Sequence, residues 1–363
     1  VSRRAADLQP KAPPAVLRRR VVGALLLGSL WLPASCDSAA PDRSPSLQRS
    51  GRFGSLRDLV LFATADPIDG DVLFVDRFEV TRGDWSEFAA SPAGRAVGAT
   101  RAVVGGDPSL PIGGVDLSQA RAFASWRFLR LPRREEWLVA AATDGRSRFP
   151  WGGREDPLKT NTSELGLGGP TPVGTFESGR RSGGDQPYDL VGNVSEWTES
   201  VAPLWWRQTS DVVSGPVRMR RDLLRTPALA VFALPGGVFP PTWLVAAGAG
   251  AVPRIVVGSD FQTPMDQQVQ QVPAGDLRAR TGLRVCSSAR ELLAALLAFD
   301  EPLDGRDDVQ VRRFVRRGRH REALLAAWRV GPPAVDGTSP AGGAATPMLR
   351  LLQQELFGAE LPR

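Results

Sequence analysis

Cysteine, histidine, lysine and tyrosine are nearly missing from this chain of 363 residues, and each shortage removes a class of function. Cys36 and Cys286 are the two cysteines. They make no disulfide framework, and a chain of this size needs none. His320 is the single histidine, which rules out a multi-histidine metal centre and leaves one imidazole for any Ser–His–Asp arrangement. Lys11 and Lys159 are the lysines and Tyr188 the one tyrosine, against ten tryptophans, so basic charge is almost all arginine. What is present suffices for a packed core: 42% of residues are hydrophobic, which excludes wholesale disorder.

The N-terminus reads as an export signal. Arg18, Arg19 and Arg20 precede the uncharged run Val21–Leu32, followed by Pro33, Ala34, Ser35 and Cys36. That run fits the apolar core of a signal peptide and is short of the roughly 20 residues of a spanning helix. Small residues before a cysteine resemble a bacterial lipobox, so Cys36 is the candidate lipidation site. Pro33 replaces the usual aliphatic residue, and cleavage near Ala40 is the alternative. The initial Val1 implies an alternative start codon or a truncated N-terminus. Residues 1–36 hold six basic groups and Asp7, a net of +5 out of +6 for the whole chain. The remainder is near neutral, which removes the main support for a nucleic-acid partner.

Residues 37–52, rich in Ser, Pro, Arg and Asp, form a polar tether. Alternation predicts strands over Asp58–Ala63 and Val72–Val80. Thr81 with Asp84, and Asp116 with Gln119, have capping-box spacing and open two helices. A third runs from Arg133 to about Thr143, ahead of Gly145. Phe149–Asp189 is Gly- and Pro-rich and reads as loop; 201–254 carries apolar stretches and no motif; Ala289–Phe299 and Val309–Val330 read as helices. A linker over Pro332–Thr346 and a short helix, Met348–Phe357, end the chain, giving domains at 1–36, 37–52, 53–287, 288–330 and 331–363.

Four ordered segments carry a resemblance. They are FVDRFEVTRGDWSEF (Phe74–Phe88), PIGGVDLSQARAFASWRFLRLPRREEWLVAAATDG (Pro111–Gly145), RFPWGG (Arg148–Gly153) and the stretch from PVGTF (Pro172–Phe176) to YDLVGNVSEWTES (Tyr188–Ser200). A weaker piece, VVGSDF…TGLRV, spans Val256–Val285. Together they resemble the formylglycine-generating-enzyme (sulfatase-modifying factor) family, most diagnostically at Gly-Asn-x-x-Glu-Trp. The resemblance implies an irregular α+β fold related to C-type lectins, here with a C-terminal helical extension and an insertion at 201–254.

Asp189 and Glu196 supply hard oxygens around a Gly192-Asn193 turn, the ingredients of a calcium site; a satisfied turn without an ion is the plainer reading. The resemblance implies calcium held by the side chains of Asp189 and Glu196 and the carbonyls of Gly192 and Val194. The family's other calcium site would begin at Asn161 and Thr162, but the loop after them lacks its Asp-x-Phe partner. Trp137, Trp151 and Trp197 form either a carbohydrate platform or core, and their helical and turn contexts favour core.

The resemblance also implies a Cys pair holding Cu(I) before the closing segment. Phe261–Arg280 contains no Cys, and Cys286 comes after Gly282-Leu283-Arg284. The family's iron-dependent branch needs several histidines. Neither copper nor iron is therefore expected, and no catalytic residue is assigned. His320 and the cluster Arg312, Arg313, Arg316, Arg317, Arg319 and Arg321 read as a solvated helix face, with acids at Asp300, Glu301, Asp304, Asp307 and Asp308 as partners, or as a contact for anionic headgroups. The expectation is a non-catalytic binding or scaffold module at the cell envelope, with the membrane and an envelope protein or glycan as partners. The rival is a metal-dependent oxidoreductase acting on a protein cysteine or small thiol. A third reading places function in the C-terminal helices.

Overall fold

The computed structural model describes residues 50–65, 72–101, 105–141, 147–183, 185–201, 229–233, 243–247, 253–266, 268–273, 279–331 and 346–358. The signal segment, Cys36, most of the tether, the 332–345 linker and most of the 201–254 insertion lie outside these residues.

β1 (Leu59–Ala65) pairs antiparallel with β2 (Val72–Asp76). The predicted strand Val72–Val80 stops at Asp76, where the chain bends, and Val80 rejoins by donating to the Leu283 carbonyl. Thr81 then caps α1 (Arg82–Ala90) in a reciprocal box with Asp84, and Ser91 caps the short α2 (Pro92–Ala96). Asp116 and Gln119 form the same box at α3 (Leu117–Trp126), and α4 is Arg134–Ala141.

The long middle stretch is turns and short 3₁₀ pieces. It leads to β3 (Ser195–Val201) and the mutually paired β4 (Leu229–Ala233) and β5 (Trp243–Ala247). β6 (Pro253–Val257) and β7 (Val269–Pro273) follow, with the two-residue β8 (Thr281–Gly282) parallel to β3. One sheet runs β7-β6-β3-β8; β9 (Cys286–Ser288) joins the other, β1-β2-β9. Val201 pairs with Arg254, so the insertion leaves and re-enters the sheet at neighbouring positions. The β6–β7 turn lies at the opposite end of those strands, next to the Val257–Val269 pair.

Four helices close the chain: α5 (Ala289–Leu297), α6 (Gly305–Arg316), α7 (Gly318–Val330) and α8 (Pro347–Phe357). The single helix predicted over Val309–Val330 is two. It breaks at Arg317, whose backbone turns extended at ψ 122 while its guanidinium donates to the Arg57 carbonyl and, at 3.2 Å, to the Leu59 carbonyl. These helices share the main core. Leu292, Leu296, Phe314, Leu324 and Leu352 pack in one cluster with Phe53, Phe74, Trp85, Phe123 and Trp197.

One expectation for this region is corrected. His320 is not on a solvated face: it is 5% exposed, edge-on to Phe74 at 5.1 Å and 4.7 Å from Phe314. The apolar spacing of α7 carries His320 inward with Ala323, Leu324 and Ala327. The arginine cluster is mostly engaged. Arg312 pairs with Asp308 and with Glu355 of α8, Arg316 also takes Glu355, and Arg321 donates to the Glu355 and Leu356 carbonyls. Of the five acids offered as partners, Asp308 takes that role, and Asp304 instead caps α6.

Candidate functional site

The loop between Tyr188 and β3 folds over the bend after β2 and gathers buried carboxylates. Asp76 and Glu79 come from that bend, Asp189 from the loop and Glu196 from the start of β3, and all four are buried. Asp189 and Asn193 sit in the left-handed region, at φ 53 and 64, where short polar side chains are the tolerated non-glycine residues. Gly192 has φ 86, and a Cβ there would stand 2.5 Å from the Asn161 carbonyl oxygen, so no other residue fits.

Arg284 sits at the centre, fully buried. Its Nη2 and Nε reach Glu196 at 2.7 and 3.0 Å, and it donates to the carbonyls of Asp76 at 3.0 Å and Tyr188 at 2.8 Å. Trp137 Nε1 donates to the other Glu196 oxygen at 3.1 Å. Glu79 accepts from the Val194 backbone at 3.0 Å and from Asn193 Nδ2 at 2.6 Å. Asp189 accepts from the Gly174 backbone at 2.6 Å.

Burial raises Glu79 well above the usual carboxylate range, helped by the charges of Asp189 and Glu196. Burial also pushes Asp189 up to about 6, against the Gly174 amide and Arg284. Glu196 is raised by burial and held back by Arg284. Burial works against the Arg284 charge and the Glu196 carboxylate outweighs it, so the guanidinium stays charged.

Of the residues singled out from sequence, Asp189 and Glu196 are therefore together, with Gly192 and Val194 in the same turn. Glu79, Asp76 and Arg284 belong with them and were missed as site residues; the signal available was a charged side chain inside otherwise apolar runs. The set offers a hard divalent cation oxygen donors, but Arg284 already stands among the acids. Glu196 Oε1 accepts from its Nη2 and Nε, and Oε2 accepts from Trp137 Nε1 and, at 3.3 Å, from Arg284 Nε, so a cation would compete with the guanidinium for that carboxylate. Asn161 Oδ1, where the family's other calcium site would begin, is buried with no hydrogen-bond partner among the described residues. No group of three or more His, Cys, Asp and Glu side chains gathers as a metal site among the described residues.

The stretch Phe261–Arg280, where the Cys pair would stand, begins in the β6–β7 turn and continues through β7; the turn is organised by Asp260. Its Oδ1 accepts from the Gln262 backbone at 2.8 Å and from Arg280 Nε at 2.9 Å. Met265 is buried there against Phe149 and Val191. Cys286 is on the other sheet, wholly buried, with Arg130 Nη1 at 3.2 Å from its sulfur. Trp137 and Trp197 are core residues, and Trp151 stacks on Phe149 at 5.0 Å.

The chain is similar to several known proteins. An inactive Cα-formylglycine-generating enzyme 2 from Bos taurus is 39% identical over 101 residues, 25% of this chain and 33% of that protein. A hercynine oxygenase from Mycobacterium tuberculosis is 29% identical over 178 residues, 39% of this chain and 40% of that protein. The matches thus span about a third to two-fifths of those relatives. The solved structure of PvdO from Pseudomonas aeruginosa aligns over 63% of this chain and 92% of that one, at 17% identity and a TM-score of 0.40, too loose to carry any argument. The family described as the Sulfatase-modifying factor enzyme 1-like domain matches residues 54–276. The chain belongs to that family.

Proposed function

We propose that this chain is a non-catalytic binding or scaffold domain on the sulfatase-modifying-factor fold, displayed at the cell envelope by a lipid anchor on Cys36. The observation that carries the non-catalytic half is the stretch Phe261–Arg280. Phe261–Arg280 offers Gln, Thr and Asp side chains where Cu(I) chemistry needs thiolates, and Cys286 is buried on a different sheet, held by Arg130. The similarity to a relative named inactive points the same way. The relatives named hercynine oxygenase and formylglycine-generating enzyme support the rival, an oxidoreductase acting on a thiol.

A copper-loaded turnover assay on a Cys-containing peptide separates the two. No conversion is expected from the wild type; peptide oxidation that disappears in Cys286→Ser overturns the non-catalytic reading. Envelope display is tested by detergent partition, because two or three acyl chains hold a protein at a bilayer where one is marginal. The wild type should enter the detergent phase and Cys36→Ala should not. A mature protein carrying an unmodified Cys36 ends the anchor reading. In this function calcium is structural: Asp189, Glu196 and the carbonyls of Gly192 and Val194 would hold it, and it would neutralise the acids that Arg284 alone does not.

A further inference from the structure

A cleft of about 530 Å³ opens where α5 and the residues after it meet the segment following α3. Its walls carry two aromatic rings, Phe128 and Phe299, and three carboxylates, Glu291, Asp300 and Glu301. The cations lining it are Arg130 and Arg52. Arg130 is already committed, gripping buried Glu136 at 2.6 Å and Glu291 at 2.8 Å. The cleft's carboxylates therefore outnumber the charge available to them, and Arg52 makes up part of the difference.

The way Arg52 does so identifies the chemistry of the site. Its guanidinium carbon lies 4.4 Å from the Phe128 ring centroid and 5.5 Å from that of Phe299. Nη1 donates to Glu301 at 3.1 Å, and Nε reaches the Trp126 carbonyl only at 3.5 Å. Ring faces and a carboxylate around a planar cation are what selects arginine over a point-charge ammonium. Phe128 holds its position at φ 61, a left-handed conformation that is strained for a bulky residue. It is kept there by stacking on Phe53 at 4.8 Å. Arg52 itself belongs to the segment that enters the domain, and its side chain is 35% exposed.

We propose that this cleft is a binding site for an arginine side chain of a partner peptide, with Arg52 as its intramolecular occupant. The partner's guanidinium takes the ring faces and Glu301, the open volume receives the residues flanking it, and Arg52 moves into solvent. The proposal stands on the cleft alone. Failed binding leaves the non-catalytic reading untouched, and turnover elsewhere leaves the cleft untouched.

The test uses the full chain and a fluorescein-labelled Gly-Arg-Gly amide read by anisotropy, with the citrulline peptide as an uncharged isostere. The wild type should bind the arginine peptide and not the citrulline one. Arg52→Ala removes the competitor and should tighten binding roughly fivefold, while Glu301→Gln, at an exposed position, should weaken it by about as much. Both variants should melt with the wild type. Equal binding of the citrulline peptide, or an Arg52→Ala variant that binds no tighter, overturns the assignment.

Discussion

At Arg284 one guanidinium serves several buried acids, and this changes how the calcium reading must be tested. Glu196→Ala is a poor probe, because orphaning Arg284 in the core costs roughly 3–5 kcal/mol whatever an ion does. Asp189→Asn keeps the shape and the Gly174 contact. A chelator should lower the melting temperature of the wild type at neutral pH and leave Asp189→Asn unmoved; a wild type indifferent to chelator sinks calcium binding. Asp189 also gives a pH signature. It titrates at about 6 in the folded protein against 3.8 for a free side chain. The folded state therefore holds a proton the unfolded chain has lost, and stability falls as pH rises through that window. Glu79 acts in the same direction. His320 acts in the other. Burial, helped by Arg317, pulls it down to about 4 from 6.5, so its contribution is full above 6.5 and is lost as pH falls toward 4. The histidine slope opposes that of the buried acids between about pH 4 and 6. Relative to chelated wild type, Asp189→Asn should gain stability as pH rises through that window and His320→Phe should lose it. Parallel curves for all three would refute this assignment of the two groups.

Among the elements, the α6–α8 contact turns on Glu355. Its carboxylate is 7% exposed and receives Arg312 and Arg316 from across the helix pair. Both arginines are solvated, so the pairing contributes far less than a buried bridge would. Glu355→Gln should lower amide-exchange protection over Pro347–Phe357 while leaving β2 and α3 as they are; unchanged protection in that helix would show that apolar packing alone holds it. The elements also show what the sequence could disclose. The capping boxes at Thr81 and Asp116 were legible because their partners are three residues away. The break at Arg317 was not, because carbonyls at Arg57 and Leu59, distant in sequence, make it favourable. β8 and β9, two and three residues long, are too short to leave a periodic trace. His320 was half legible: with Ala323, Leu324 and Ala327 it recurs at i, i+3, i+4 and i+7, a pattern obscured by the arginines around it. In the candidate site, Asp189 and Glu196 were found because they share one motif. Glu79 and Arg284 come from distant segments, and only the fold brings them to it.

For the molecule as a whole, the C-terminal helices complete the domain's core. Leu292, Leu293, Leu296, Phe314, Leu324 and Leu352 pack on Phe53, Leu56 and Phe74. A chain ending at Ser287 would expose that surface to water, at about 1.5–3 kcal/mol for each large apolar side chain left uncovered. Residues 37–287 should therefore not unfold cooperatively near the wild-type temperature. A truncated protein with a sharp melt at the same temperature would make the helices a separable unit. A function housed in these helices is thus better sought with exposed substitutions such as Arg313→Ala or Arg319→Ala than by deletion.

The pairing of Val201 with Arg254 has one further bearing. Partnered residues on adjacent strands stand about 5 Å apart at their Cα atoms. Residues 202–252 therefore begin and end at almost the same point, on sheet hydrogen bonds that do not depend on what the intervening sequence is. The β6–β7 turn and the loop carrying Asp189 owe their positions to other contacts. In engineering terms the chain has a socket there: a segment of any length whose ends meet can be exchanged, as a surface loop is exchanged between antibodies, while the ion-pair cluster and the helical layer are inherited unchanged.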